Sequence, residues 1–352
     1  MIRANAQLFA SLLQYANFPA HLSDVSILGW SNNGQFNANI LGHLNSYLQP
    51  PPALNGPYEI HPYIHREIAQ FDISREFLLL GTFPPNSYLR NLQPVAAVAN
   101  AHSQVGVGAI DYYYGNTGNL WSFFSVPQPV TPITINAFLA QNNIAISDVC
   151  IGLQRDIFSS PADARLFNIL PNTLLCGILE PASTVETILF TSGSLASVPV
   201  DAAGNINVNA NNNVNTLNIF LHILKNNCRC AMTASGQADG NGHYYPLNNA
   251  GQNAAVLDQD GHIIWYLRIG QRTFRIINLP TPATALGMIR IPFFWRWVAY
   301  KALQNGLPVP PIANLVEYML QHPLVFQRPP TIQYRTEIYD MAIHNLPLLM
   351  TL

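Results

Sequence analysis

Three short segments contain residue types that suit chemistry on a polar ligand. They are Gly81-Thr82-Phe83-Pro84-Pro85, Tyr113-Tyr114-Gly115-Asn116-Thr117-Gly118-Asn119-Leu120-Trp121 and Leu279-Pro280-Thr281-Pro282-Ala283. In the first segment the glycine allows close approach of the backbone to a ligand, and the prolines make the turn rigid. Fixed backbone N–H dipoles in such a turn can stabilise negative charge that develops in a transition state.

A carboxylate, Asp148, stands at the end of an apolar run that begins at Ile144. We expect this run to form a buried strand, where a carboxylate without a partner is costly. Two interpretations remain open: Asp148 accepts a hydrogen bond from a ligand, or it caps a following helix. Because it only accepts hydrogen bonds, it suits a ligand edge that presents donors, such as the amino group of cytosine.

The elements that must position these residues are predicted from apolar runs. The runs predict strands at Phe77–Leu80, Ile144–Val149, Thr187–Thr191 and Thr273–Asn278. Helix-length segments between the strands include Leu166–Leu179 and Leu217–Asn226. Strands that alternate with helices predict an α/β fold, in which a central parallel sheet has right-handed crossovers and helices on both faces. A ligand is then expected at the carboxyl ends of the strands.

Taken together, the three segments resemble the uracil-DNA glycosylase superfamily, especially its hypoxanthine-type and mismatch-type branches. Gly81 to Pro85 looks like the superfamily's Gly-x-x-Pro loop, and the segment around Tyr114 is similar to a Tyr-Tyr-Gly-x-x-x-Asn-x-aromatic stretch. Leu279 to Ala283 is similar to a Leu-Pro-Ser-Pro-Ser loop. The resemblance covers roughly residues 77–300. It implies a three-layer α/β/α sandwich that cuts the N-glycosidic bond of a base flipped out of DNA.

The resemblance assigns roles to residues, with two departures from the family pattern. Many members have Asp or Asn where this chain has Phe83, and the last loop lacks the family's His. The hypoxanthine-type branch is similar in lacking a polar residue at the position of Phe83. It takes its catalytic Asn from the second segment, and this Asn maps onto Asn119. A turn or helix-capping role for Asn119 stays open. We therefore predict Asn119 and Asp148 as catalytic, and the base-binding residues Thr82, Phe83, Pro84, Tyr114 and Ser192.

The expected activity is that of a monofunctional glycosylase, which uses water as the nucleophile. The chain has two lysines, Lys225 and Lys301, and both fall outside the three segments, so an amine nucleophile is not expected. The nearest branch implies a deaminated base such as uracil, hypoxanthine or xanthine. Two alternatives remain open: removal of a hypermodified phage base such as glucosylated hydroxymethylcytosine in antiviral defence, and a non-catalytic DNA-binding module on the same fold. We expect no cofactor and no metal.

The charge distribution favours one region for contact with DNA. The formal net charge is −2 and only 10% of residues are charged, so the whole chain does not indicate a nucleic-acid partner. No acidic residue occurs between Asp260 and Glu317, however, and the interval contains six basic residues, the last of which is Lys301. We predict that DNA contacts come from its arginines and the neighbouring loop, namely Arg268, Arg272, Arg275, Arg290, Arg296, Thr281 and Thr284.

The remaining expectations concern organisation and compartment. We expect an N-terminal extension at 1–75, a glycosylase-like domain at 76–300 with an insertion at 196–260, and a C-terminal extension at 301–352. No window of eighteen apolar residues and no signal-peptide pattern occur, so we expect a soluble cytoplasmic protein. The four cysteines are expected to be reduced and mostly buried, because a chain of this size does not need disulfides. The oligomeric state stays open.

Overall fold

A computed structural model defines the fold over part of the chain. It describes residues 59–60, 71–83, 120–127, 129–130, 132–155, 166–191, 201, 204–206, 215–234, 237–238, 244–245, 264–280, 291–326 and 329–349.

The main element is a six-stranded sheet in a mixed α/β arrangement. Its strands, in the order in which they are hydrogen-bonded across the sheet, are β3 (Ile144–Asp148), β2 (Phe77–Gly81), β6 (Thr187–Phe190), β11 (Arg272–Asn278), β10 (Ile264–Ile269) and β7 (Met232–Ala234). β2 and β3 are parallel, whereas β10 is antiparallel to both of its neighbours. The four predicted strands are confirmed within one or two residues.

Two smaller sheets and several helices complete the described fold. The strands β1 (Glu59–Ile60), β4 (Cys150–Arg155) and β5 (Leu166–Pro171) form an antiparallel sheet, and β8 (Gln237–Ala238) pairs with β9 (Tyr244–Tyr245). The helices are α1 (Leu120–Phe123), α2 (Pro132–Gln141), α3 (Thr216–His222), α4 (Ile291–Gln304), α5 (Leu315–Gln321), α6 (Pro330–His344) and α7 (Leu346–Leu349). Short 3-10 helices lie at Thr173–Leu179 and Ile312–Asn314, and a π-helical turn at Ile223–Asn227 extends α3.

The chain divides into two compact units. The first contains residues Met1–Thr117, Gln128–Ile188 and Val208–Cys230, and the second contains Gly118–Pro127, Leu189–Asn207 and Ala231–Leu352. Among the described elements, β1 to β5 and the helices α2 and α3 belong to the first unit. The strands β7 to β11 belong to the second unit together with α1 and α4 to α7. The boundary passes through β6, whose first two residues lie in the first unit.

The burial of the strands follows from their sequences. All five residues of β2 and all five of β3 are buried, as expected for apolar runs in a parallel pair with both faces covered. β10 instead alternates between more exposed and buried residues, which is typical of an antiparallel strand with one open face. A two-residue turn at Gly270–Gln271 joins β10 to β11, and Gly270 has a φ of +58° that favours glycine there.

Two predictions about local structure are wrong. Leu166–Leu179 is not one helix, because its first part is β5 and only Thr173–Leu179 is helical, in the 3-10 form. Pro171 accounts for the change, since proline has no N–H to continue a helix through that point. The expectation of reduced cysteines is also wrong for one pair, because Cys176 and Cys228 form a disulfide. Their Cα atoms lie 5.6 Å apart, within the range that a disulfide can bridge. Cys150 and Cys230 are not disulfide-bonded.

The helix predicted at Leu217–Asn226 is confirmed as α3 and its π-helical extension. The predicted insertion at 196–260 supplies this helix and also β7, which pairs with β10 in the main sheet. Most of the predicted N-terminal extension at 1–75 lies outside the described residues. Across the part of the chain that the structure describes, no helix is both long and apolar enough to cross a membrane.

Candidate functional site

The carboxyl ends of β2 and β3 lie side by side in the first unit. Gly81, the last residue of β2, is in register with Asp148, the last residue of β3. Backbone hydrogen bonds continue beyond the strands, since the N–H of Cys150 donates to the carbonyl of Thr82 over 3.1 Å. The Gly-x-x-Pro loop predicted from the sequence therefore begins beside the segment that follows Asp148.

Asp148 is almost completely buried, with 1% of its surface exposed. Residues in register on neighbouring parallel strands point to the same face of a sheet, so the residue beside Asp148 on its face is a glycine with no side chain. The chain enters β4 two residues later, so Asp148 does not cap a helix. The interpretation of Asp148 as a helix N-cap is wrong, and the ligand-binding interpretation stays a prediction.

Asn172 holds the end of β3 in place by several hydrogen bonds. Its side-chain Nδ2 donates to Ser147 Oγ over 3.2 Å and to the carbonyl oxygen of Asp148 over 3.0 Å. Its Oδ1 accepts from the N–H of Leu174 and thereby caps the 3-10 helix. Its own N–H donates to the carbonyl of Val149 over 2.8 Å. Because Asn172 and Ser147 are fully buried, this network fixes the backbone on both sides of the Asp148 side chain.

The end of β2 is linked to α3 by a second buried polar contact. The hydroxyl oxygens of Thr82 and Thr216 lie 2.5 Å apart, and both residues are buried. Thr216 is the first residue of α3, which Asn215 caps by accepting from the N–H of Asn218 over 2.9 Å. Asn218 is itself buried near the start of the same helix. Phe83, which the sequence assigns to stacking on a base, is also buried.

These contacts define a cluster of buried polar residues, which we call the strand-end cluster. Its members are Thr82, Ser147, Asp148, Asn172, Thr216 and Asn218. The side chains of Ser147 and Asp148 point to opposite faces of β3, so the cluster does not present all of its polar groups to one ligand. The carboxylate of Asp148 can accept hydrogen bonds from a ligand edge that presents donors. Within the described ranges, no group of three or more His, Cys, Asp or Glu side chains is arranged to hold a metal ion.

Comparisons with protein-family models, with curated proteins and with solved structures find no match for this chain. The uracil-DNA glycosylase resemblance therefore stays a prediction that rests on its three segments.

The second unit holds the start of the Leu279–Ala283 loop through α6. The N–H of Leu279 donates to the carbonyl of Phe190 over 2.7 Å, which places the carboxyl ends of β6 and β11 together. The hydroxyl of Tyr339 donates to the carbonyl of Pro280 over 2.7 Å. The Tyr339 ring packs edge-on against Phe123 and Phe124, with centroids 5.6 and 4.7 Å away. Burial raises the pKa of Tyr339, so its hydroxyl remains a donor.

The predicted DNA-contacting arginines occupy different surfaces of the second unit. Arg268 on β10 is exposed, and Arg275 on β11 is half-buried. The guanidinium of Arg272 lies over the ring of Phe274, 4.9 Å from its centroid. Arg296 is half-buried on α4. The expectation of unopposed positive charge is wrong for Lys301, because Glu337 of α6 forms an ion pair with it over 3.0 Å.

Several predicted site residues lie outside the described residues. They are Asn119, Pro84, Tyr114, Ser192, Thr281, Thr284 and Arg290. Asn119 directly precedes α1, and Ser192 follows Thr191 at the end of β6.

The sequence analysis missed Asn172, Thr216 and Asn218. Asn215-Thr216 before the apolar Leu217 is an N-cap pattern, and Asn172 after Pro171 is a comparable signal. Neither pattern indicates which strand end the helix start will meet.

Proposed function

We propose that this protein is a monofunctional DNA glycosylase, built on a three-layer α/β/α framework, that hydrolyses the N-glycosidic bond of an unusual base flipped out of DNA. The observation that carries the proposal is the buried Asp148 at the end of a parallel strand, beside Gly81 on the same face. A carboxylate in this position has a defined direction and little competition from water, which favours recognition of one ligand edge.

Asp148 acts in this proposal as the acceptor that reads the base. Asn172 holds the backbone on which Asp148 stands, so it is a positioning residue and does not touch the base. Thr82 and Phe83 begin the loop whose backbone N–H groups face the departing base, as the superfamily resemblance implies. The carboxylate favours a base edge with hydrogen-bond donors, and this supports a modified cytosine as an alternative to a deaminated base.

Asn119 positions the attacking water, following its match to the hypoxanthine-type branch. The nucleophile is water and not an amine, because Lys225 and Lys301 both fall outside the three segments, and Lys301 forms an ion pair with Glu337. The bond from the sugar to the base breaks and the base leaves with the electron pair. The water oxygen bonds to the sugar carbon, and the proton that the water loses ends on the departing base. The product is an abasic site.

The test is excision from oligonucleotides that carry one unusual base each. The protein is incubated with DNAs that contain uracil, hypoxanthine, xanthine or glucosylated hydroxymethylcytosine, and alkali then cuts any abasic site. We expect one of these DNAs to be cut. Asn119→Ala should lower the rate of excision by about 100- to 1000-fold, the effect of removing one group that acts in the transition state.

Asp148→Asn keeps the shape of the side chain and removes its charge, and we expect the excision rate to fall about 100-fold on the same DNA. The matched control is Asp72→Asn, the same substitution at an exposed aspartate of the first unit. It should change excision by less than threefold if the protein remains folded. Binding of all these DNAs without any abasic product would instead support the non-catalytic DNA-binding module. Equal reductions in Asp148→Asn and Asp72→Asn would remove the assignment of Asp148.

A further inference from the structure

The antiparallel part of the six-stranded sheet has two faces of opposite character. Register places Trp265, Leu267 and Ile269 of β10 on one face, where all three are buried. The other face has the buried Ile277, paired with Ile264, at one end. Beyond this pair its residues are exposed or half-buried, and we call this part the open face. They are Thr233 on β7, Tyr266 and Arg268 on β10, and Thr273 and Arg275 on β11.

Cross-strand pairing brings the residues of the open face together. Tyr266 lies directly opposite Arg275, and Arg268 lies opposite Thr273 on one side and Thr233 on the other. Directly opposite residues of an antiparallel pair have Cβ atoms about 5 Å apart, and diagonal neighbours about 7 Å apart. One aromatic ring therefore stands among two guanidinium groups and two hydroxyl groups on a single surface.

The strands that form this face contain basic residues and no acidic residue. β7, β10 and β11 contain three arginines and no acidic residue. Arg268 is exposed, and its Nε–H donates to the carbonyl of Gly270 over 3.2 Å, which orients the guanidinium. Arg272 lies on the opposite face, where its guanidinium covers Phe274. Only two of the three arginines therefore contribute to the open face.

We infer that the open face binds single-stranded nucleic acid. Arginines and hydroxyl groups contact the phosphates, and the Tyr266 ring stacks on an unpaired base. A ring on a broad sheet face cannot reach the faces of bases that are stacked inside a duplex, so the partner is a single strand. The chemistry of the open face does not depend on the proposed excision reaction.

The test is the affinity of the protein for a labelled oligothymidylate, measured by fluorescence anisotropy over a range of salt concentrations. Removing one phosphate contact should reduce the slope of log K against log salt by about 0.7. We expect this reduction in Arg268→Ala and in Arg275→Ala. Tyr266→Leu should weaken binding about tenfold, and Tyr266→Phe, which keeps the ring, should not.

Arg229→Ala is the control, because it removes the same charge from an exposed arginine that lies outside β7, β10 and β11 and outside the predicted site residues. It should leave the salt slope unchanged. An equal change in Arg229→Ala and Arg268→Ala, or no binding of the oligothymidylate by the wild-type protein, would overturn the inference. A duplex that binds equally tightly and responds equally to Tyr266→Leu would also overturn it.

The oligothymidylate contains no unusual base, so its binding and base excision are separate measurements. If the protein excises a base but Arg268→Ala does not change its affinity for the oligothymidylate, only this inference is wrong. If the protein binds through the open face but excises no base, only the proposed function is wrong.

Discussion

The two units hold the chain beyond their strand ends by different means. In the first unit, buried side-chain hydrogen bonds from Asn172 and between Thr82 and Thr216 fix the strand-end cluster. In the second unit, aromatic rings pack between α4 and α6, and one hydroxyl, that of Tyr339, reaches the Pro280 carbonyl. Hydrogen bonds give direction, whereas apolar packing gives most of the free energy of folding. The difference predicts that removing one side chain lowers stability more in the aromatic packing of the second unit than in the hydrogen-bond network of the first.

The largest expected effect is on stability, from Trp297→Ala in the second unit. Trp297 is fully buried, stacks on Phe294 with a centroid distance of 5.6 Å, and donates its Nε1–H to Glu337 over 2.8 Å. We expect its removal to lower the free energy of unfolding by about 3–5 kcal/mol, measured by chemical denaturation. Trp295→Ala is the control, because Trp295 is half-buried on the same helix. If Trp295→Ala lowers the free energy of unfolding as much as Trp297→Ala does, the buried aromatic packing is not the main source of this stability.

A smaller decrease in stability is expected for Asn172→Ala in the first unit. The change removes a helix cap and two donated hydrogen bonds, and it leaves Ser147 and the Asp148 carbonyl without this donor. We expect the free energy of unfolding to fall by about 2–4 kcal/mol. Asn215→Ala, which removes another asparagine cap in the same unit, should cost about 1 kcal/mol. Similar decreases in the two variants would show that the bonds to β3 contribute little.

The smallest effect on stability should come from Tyr339→Phe, which removes a single hydrogen bond from the second unit. The ring contacts with Phe123 and Phe124 remain, but the hydrogen bond to the Pro280 carbonyl is removed. We expect the free energy of unfolding to fall by about 1 kcal/mol. Tyr318→Phe is the control, since Tyr318 also donates to a proline carbonyl, that of Pro308, over 2.7 Å. If α6 positions the predicted DNA-contacting loop, only Tyr339→Phe should also slow excision.

Two strands of the first unit could be predicted because β2 is a short apolar run and β3 begins with one. The strands β1, β4 and β5 contain polar residues and were not predicted. β10 was not predicted, although the glycine turn at Gly270 and the alternating burial of the strand are typical of a hairpin. The disulfide between Cys176 and Cys228 was not predicted, because no local pattern indicates that residues 52 positions apart will meet.

The candidate site could be predicted only in part. Asp148, Thr82 and Phe83 could be named because they end predicted strands or follow one directly. Asn172 and Thr216 come from segments 24 and 134 residues away from their partners Asp148 and Thr82. Which polar groups meet at a strand end depends on where helix starts are placed in space, and hydrophobic spacing does not contain that information.

The disulfide has a consequence for the covalent topology of the chain. Between Cys176 and Cys228 the chain leaves the first unit after Ile188 and returns to it at Val208. The disulfide therefore closes a covalent ring that includes the whole segment belonging to the second unit. A single proteolytic cut anywhere inside the ring leaves one covalently connected molecule until a reductant opens the bond, whereas a cut outside it gives two pieces with no covalent link between them.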